Sequence, residues 1–323
     1  MSKLSIIVPI CSTDKDAENC IKSILNQSYT DLEVVLCDYS PAGTQNDICS
    51  TFAAKDSHIK FTRCEDGSSL SAYNHALDIV TGDYIIFAAA DSIFETDVLK
   101  KCMDEISVHS PDLLACAVKA PEDEKRDKVF IDSNMYTRSE YTENIAAYIR
   151  TGIGFDHINN KVFSAYIINS RNLRFDESMP MVASELFNCR YFTIAGHIRC
   201  SLNLLCRSSD KTQEGTLDYL PQGKAYSQKL IDAVQSKGLY NTASSAIAEK
   251  YQKILYRHMQ LVALPNKNIT DSQRSQSLED LSHSADDVPL TVYLSTAPGI
   301  KNKSVYQLYK LRQWKLLLKL LKG

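Results

Sequence analysis

Four stretches of strand length, the third short and mixed and the others mainly apolar, punctuate the first ninety residues, separated by stretches with helical spacing. Leu4–Ile10 is the first run and includes Pro9 near its end. Ser12-Thr13-Asp14 then offers a helix N-cap. Ala17, Cys20, Ile21, Ile24 and Leu25 fall at i, i+3, i+4, i+7 and i+8, one face of a helix. Leu32–Cys37 is the second run, ended by Asp38-Tyr39-Ser40-Pro41-Ala42-Gly43, and a helix follows to about Lys55. Ile59–Arg63 is a shorter third strand. Ala72, Ala76, Leu77 and Val80 then mark a short helix that Gly82 ends. Tyr84–Ala90 is the fourth run, and it stops at Asp91-Ser92. Runs with no alternation belong to strands covered on both faces. Strands alternating with helices predict an α/β fold: a mostly parallel twisted sheet, flanked by helices, with right-handed crossovers. Open sheets of this kind hold ligands at the carboxyl ends of their strands, so Cys11/Ser12, Asp38/Tyr39 and Asp91 are expected to converge on one edge.

Beyond Glu95 the pattern predicts a helix and a further strand, LLACAV, then a charged loop over Lys119–Lys128. A strand over Val129–Ser133 and a helix over Glu140–Arg150 follow. Residues 222–264 are helical in spacing. Residues 265–289 are rich in Ser, Asp and Asn and nearly free of aromatics, which predicts a flexible linker. The expected division is a sheet domain over 1–210, a helical C-terminal extension over 211–264, the linker over 265–289 and a C-terminal segment over 290–323.

Charge changes the picture at the C-terminal end. The whole chain carries −3, which gives no nucleic-acid signature, but residues 301–323 hold seven Lys/Arg and no acid. Arg312, Lys315, Lys319 and Lys322 form one stripe of a helix that is otherwise mostly Leu and Trp. Residues 308–323 thus read as a basic amphipathic helix, for an anionic membrane surface or for docking on the body or another subunit, in a homo- or hetero-oligomer. No segment approaches the ~18 apolar residues of a membrane span. None of the ten cysteines forms a C-x-x-C pair, most lie in apolar runs, and the first residues read as a strand, so a cytoplasmic chain, peripheral on the membrane at most, is expected.

The stretch Ser69–Glu95, SLSAYNHALDIVTGDYIIFAAADSIFE, resembles the core of the family-2 glycosyltransferases of GT-A fold, whose pattern runs roughly L-S-x-A-R-N-x-G-L-x-x-A-x-G-x-Y-I-x-F-x-D-x-D-D. Leu70, Ser71, Ala72, Asn74, Leu77, Gly82, Tyr84, Ile85 and Phe87 match. The family's Arg is Tyr73 here, the first Asp of its Asp-x-Asp is Ala89, and the second survives as Asp91. VPICSTD is similar to the V-P-x-Y-N start. In SILNQSYTDLEVVLCDYS, Asp38 matches the first Asp of the family's pair, and Tyr39 replaces the second, which is associated with uracil. On the acceptor side Asn160, Lys161, Phe163, Arg174-Phe175 and Leu186-Phe187-Asn188 match. The family's Glu-Asp aligns with Ala183-Ser184, with Glu185 one residue beyond. The resemblance covers roughly residues 3–210.

It implies a nucleotide-sugar donor, a glycan or lipid-linked acceptor, and transfer with inversion in polysaccharide or glycoconjugate synthesis. Pro9, Cys11, Ser12, Asp38, Tyr39, Tyr73, Asn74 and Ala89 would lie on the donor side, and Asp91 would be the metal ligand for Mg²⁺ or Mn²⁺. One carboxylate can serve where phosphates complete the shell; Asp91 can equally cap the next helix. Asp38 either bonds a base or ribose or caps the Pro41 turn, and Tyr73 either stacks on a donor ring or packs. Glu185 is a candidate base, but a one-residue shift turns a helical side chain by about 100°; Asp156 and His157 are rivals. Changes at three acid positions (Tyr39, Ala89, Ser184) also admit a catalytically impaired member that supports an active transferase.

Overall fold

The computed structural model describes all residues except 1, 43, 45–46, 66, 118–133, 144, 147–148, 150–156, 181, 208–218, 237, 297–299 and 323. The charged loop and the strand expected over 119–133 lie outside the described residues. The first part alternates as expected: β1 (Leu4–Ile10), α1 (Ala17–Leu25), β2 (Leu32–Asp38), α2 (Asp47–Lys55), β3 (Ile59–Arg63), α3 (Ser69–Leu77) and β4 (Tyr84–Phe87). There follow β5 (Ile93–Phe94), α4 (Val98–His109), β6 (Leu113–Ala117), β7 (Met135–Thr137), α5 (Arg138–Glu143), β8 (Lys161–Ser164), α6 (Ala165–Ser170), α7 (Ala183–Phe192), β9 (His197–Leu204) and β10 (Cys206–Arg207).

Eight of these strands form one sheet in the order β3-β2-β1-β4-β8-β6-β9-β7, and β5 pairs with β10 in a two-stranded ribbon. Strands β1 to β4 are mutually parallel where they touch; β8 is antiparallel to both its neighbours. Every residue of β1 and β2 is buried, which is why neither strand alternates in sequence. Tyr84–Ala90 yields only a four-residue strand. Beyond it the Ala88 N–H still donates to the Ile7 carbonyl at 3.0 Å, and then the chain turns. The sheet is pulled tight at its opposite edge by Gly82, whose N–H donates to Ser5 Oγ at 2.9 Å. A Cβ there would stand 2.8 Å from the Ser5 nitrogen and 2.9 Å from the Lys3 oxygen, so the position admits no side chain.

The chain divides into two compact units, Met1–Ser209 with Ala233–Thr242, and Asp210–Asp232 with Ala243–Gly323. The second is helical and holds most of α8 (Tyr219–Gln235) and α9 (Tyr240–Ala263), with α10 (Asp271–Ser282), α11 (Asp287–Thr296), α12 (Ile300–Lys310) and α13 (Trp314–Lys322). Its core gathers Leu255, Met259, Leu278, Leu290, Val305 and Leu317. The expected linker over 265–289 is instead mostly helix. Thr270 and Gln273 form a reciprocal capping box at the start of α10, and Leu278 and Leu281 on that helix are buried. Buried Arg274 donates to the Val262, Ala263, Leu264, Asn266 and Ile269 carbonyls, satisfying the end of α9.

The C-terminal amphipathic stretch also differs from one continuous helix. It breaks at Leu311–Gln313, with Arg312 in the left-handed region at φ 54°. Arg312 pairs with Glu279 at 3.3 Å, which removes it from the basic stripe. Leu317 and Leu318 are buried within the helical unit, while Leu311 and Leu316 are exposed. Among the described residues no helix is long and apolar enough to cross a membrane.

Candidate active site at the carboxyl edge of the sheet

Adjacent parallel strands place three loops side by side. In register, Ile10 sits opposite Asp38 and Asp38 opposite Arg63. The Tyr39 N–H donates to the Ile10 carbonyl at 3.0 Å, and the Ser12 N–H donates to Ser40 Oγ at 2.8 Å, so the ends of β1 and β2 are joined. Asp38 is 1% exposed. Its Oδ1 accepts from the Ser40 N–H at 2.9 Å and from Ser40 Oγ at 2.5 Å, while its Oδ2 meets the Arg63 guanidinium at 3.1 Å. Arg63 continues to the Ser40, Pro41 and Thr44 carbonyls. The Asp38 carboxylate is therefore the hub that holds the Pro41 turn.

Tyr39 lies next to it with its ring partly covered. Burial, with the nearby Asp14 and Cys11, pushes its phenol up to about 12, so it stays a neutral hydroxyl. Asp14 accepts from the Cys11 N–H at 2.7 Å and closes the turn after β1. Burial acts to raise the Cys11 thiol, but hydrogen bonds from Thr13 and Ser12 outweigh it and hold the thiol below its usual value.

The loop after β4 is closed on itself. The Ala89 N–H donates to Ser92 Oγ at 3.1 Å, and the Ser92 N–H returns to the Ala89 carbonyl at 3.0 Å. This turn presents Asp91, which is 6% exposed. Around it stand Cys20, Cys206 and Tyr73, each feeling its charge. Burial pushes the Cys20 thiol up to about 12 and the Cys206 thiol to about 11, against hydrogen bonds from Ser92 and Asn160 at the latter. Both are neutral thiols beside the carboxylate. Asn160 Oδ1 accepts from the Cys206 N–H at 3.0 Å and ties the start of β8 to the ribbon.

Two residues expected on the donor side are turned elsewhere. Tyr73 Oη donates to the Ala88 carbonyl at 3.0 Å, and its ring stacks on Phe175 with centroids 5.1 Å apart. Phe87, Phe163 and Phe187 complete that aromatic cluster. Tyr73 thus makes packing contacts with its ring and a main-chain hydrogen bond with its hydroxyl. Asn74 spends its amide on the Phe175 main chain, donating at 3.0 Å and accepting at 2.8 Å, and also donates to Glu177 at 2.7 Å. It staples α3 to the loop before α7 and has both amide hydrogens engaged there. Pro9 is buried inside β1.

On the acceptor side, Glu185 occupies the first turn of α7, half-buried. Asn188, three residues on and so on the same helical face, donates to the His157 carbonyl at 2.9 Å. Buried Lys161 reaches the same carbonyl at 2.6 Å. Glu185 shares a helical face with Asn188, and His157, whose carbonyl Asn188 holds, is exposed. Asp156 lies outside the described residues.

A profile of the family described as Glycosyl transferase family 2 matches residues 5–170, just over half of the chain. The chain belongs to glycosyltransferase family 2. Among curated relatives, the uncharacterized glycosyltransferase EpsJ of Bacillus subtilis (strain 168) is 24% identical over 61% of this chain and 58% of its own length. The glycosyltransferase GlyG of Streptococcus pneumoniae serotype 4 is 27% identical over 35% of this chain and 38% of its own. The chain thus spans less than two thirds of each. Among solved structures, S. aureus TarS 1-349 in complex with UDP-GlcNAc superposes with a TM-score of 0.62 at 16% identity, covering 98% of this chain and 90% of that one. The mannosyltransferase PcManGT of Pyrobaculum calidifontis, in complex with GDP-Man and Mn²⁺, gives 0.54 at 15% identity, over 99% and 85%. These likenesses fix the GT-A fold.

Within that family this site has a thin donor set for a metal. Ala89 and Asp91 supply one carboxylate between them. No group of three His, Cys, Asp or Glu able to hold an ion occurs among the described residues. Asp91 alone offers one ligand, enough only for an ion whose shell a donor's phosphates would complete. What sequence reasoning missed is Arg63, the partner of Asp38. Its signal was available: the residue just past one expected strand, Asp38, is an acid and the last residue of the next, Arg63, is a base.

Proposed function

We propose that this family member transfers a sugar from a nucleotide-sugar donor to a glycan or lipid-linked acceptor, with inversion, in cell-surface polysaccharide or glycoconjugate synthesis. The observation that carries this reading is the meeting of three strand ends, Cys11–Ser12, Asp38–Ser40 and Ala89–Ser92, at one edge with Asp91 among them. The Asp38–Ser40–Arg63 clamp shapes the nucleoside side, and Asp91 faces the sugar and diphosphate. The acceptor oxygen bonds to the anomeric carbon on the face opposite the diphosphate, the carbon–phosphate-oxygen bond breaks, and the acceptor proton passes to Glu185. The leaving charge needs neutralising; Mg²⁺ or Mn²⁺ arriving with the donor would do so, with Asp91 as its protein ligand.

Calorimetry with UDP, GDP, CDP and dTDP, with and without Mn²⁺, tests this. Metal-dependent binding of one nucleotide, abolished in Asp91→Ala, is the expected result. A second reading, a non-catalytic partner of an active transferase, is favoured by Tyr39, Ala89 and Ser184 in the three acid positions. Absence of binding to any nucleotide, with co-purification of another transferase, would select it.

The exposed Leu311 and Leu316, with Lys315 and Lys319 beside them, support contact with the inner, anionic face of a membrane. Ten free cysteines accord with the reduced compartment this requires. Truncation after Lys303 is expected to abolish flotation with anionic liposomes; equal flotation removes the claim.

A further inference from the structure

The helical unit contains a groove of about 470 Å³, within the range of small-ligand sites. One side is a face of α10: Gln273, Gln276, Ser277 and Asp280 recur at helical spacing, with Ser284 in the turn beyond. The other side is the first half of α8, where Leu220 and Pro221 are apolar and Lys224 is charged. His258 of α9 also lines it and is 2% exposed.

A helix face that lines an indentation beside a hydrophobic core is ordinarily apolar. Here it is built of amides, hydroxyls and one carboxylate. His258 Nε2 lies 3.5 Å from Ser277 Oγ, and its Nδ1 has no hydrogen-bond partner among the described residues. The one cation among the described lining residues is already spent: Lys224 Nζ stands 2.5 Å from Asp286 Oδ2. Asp286 is also held by Tyr251 at 2.7 Å. Asp280 accepts from Gln276 at 2.8 Å and has no cationic partner among the described residues lining the groove. The lining therefore sums to a slight negative charge, which repels phosphates and carboxylates. It offers both donors and acceptors, with an apolar strip of Leu220, Pro221 and Leu281 alongside. Hydroxyl edges and C–H faces together are the chemistry of a neutral sugar.

We propose that this groove, lined by α8, α9 and α10, is a glycan-binding subsite of the helical unit that takes a neutral oligosaccharide segment. The choice of a glycan leans on the glycosyltransferase reading; the groove, its residues and its charge do not.

The test uses the full chain and three neutral probes, maltotetraose, cellotetraose and tetraacetylchitotetraose, titrated to millimolar concentration. Binding is followed by calorimetry and by amide NMR shifts. One of the three is expected to bind, with shifts at Gln276, Ser277 and Asp280. Gln276→Ala and Asp280→Ala, both at exposed positions, each weaken it about tenfold, as loss of one or two hydrogen bonds requires. Neither variant changes nucleotide binding. The proposal falls if none of the probes binds, if binding is indifferent to both variants, or if only phosphorylated sugars bind. Nucleotide binding without glycan binding sinks the groove and leaves the transferase reading standing. Glycan binding without nucleotide binding does the reverse.

Discussion

In the sheet unit, Glu33 is 3% exposed, and its carboxylate collects Lys3 at 2.9 Å, Lys60 at 2.8 Å, Ser5 Oγ at 2.6 Å and the Thr81 N–H at 2.6 Å. In the helical unit, His258 is 2% exposed and has one long contact to Ser277. Both are ionisable groups deep in a fold, and they meet burial in opposite ways. Glu33 stays charged because its partners repay desolvation. Burial tends to raise it, yet its hydrogen bonds from Lys60, Ser5, Thr81 and Lys3 hold it far below the usual carboxylate range. His258 stays neutral, because burial pushes its imidazole down to about 4 against the weak pull of Asp286. The lesson is that a saturated buried charge locks an edge, whereas an under-partnered one beside an open groove marks a place built for something other than packing.

Acid should separate the two units, and this is the larger expected effect. Unfolded His258 takes its proton near pH 6.5, and the folded imidazole refuses it until about pH 4. As pH falls between those values, the unfolded state binds the proton the folded state declines. Stability is thus fully present above about pH 6.5 and is lost downwards, by roughly 2 kcal/mol at pH 5 and roughly 3 kcal/mol below pH 4. Glu33 runs later. Its depressed value keeps its contribution intact above the ordinary carboxylate range near 4.5 and loses it only below. Hydrogen exchange at pH 7.5 and pH 5, corrected for intrinsic rates, should show α9 and α10 losing protection while β1 and β2 keep theirs. Equal protection of α9 at both values would break the contrast.

The two units also differ in how much the sequence disclosed. Strand β1 runs over the residues its apolar pattern predicts, because burial on both faces leaves no polar position to blur its ends; β3 keeps its expected bounds although only Ile59 of its five residues is buried. The convergence of Cys11, Asp38 and Asp91 followed from parallel order alone. Helix α10 was illegible as a helix because its Ser, Asp and Gln face a groove or solvent; the Thr270–Gln273 capping box was the signal that composition masked. Side-chain direction was the hardest part. The partners of Asn74 lie 101 and 103 residues away, and no local spacing announces them. Family matching placed Asn74 and Tyr73 on the donor side, where long-range contacts turn both towards Phe175.

That last point gives the smallest and sharpest test. If Tyr73 belongs to the interior of the sheet unit, its hydroxyl serves only the Ala88 carbonyl, and its ring serves Phe87 and Phe175. Tyr73→Phe keeps the ring and removes one hydrogen bond, leaving the carbonyl unmet by that donor. The expected cost is about 1 kcal/mol in denaturant unfolding, with no change in the affinity of whichever nucleotide binds. A donor-side role gives the opposite division: stability untouched and nucleotide affinity reduced. The contrast is decisive because Ala88 immediately precedes the turn that presents Asp91. A loosened Ala88 carbonyl would be felt at Asp91 only through the backbone, whereas a lost donor contact would be felt directly. Unchanged affinity with reduced stability assigns Tyr73 to packing, beside the site and not in it.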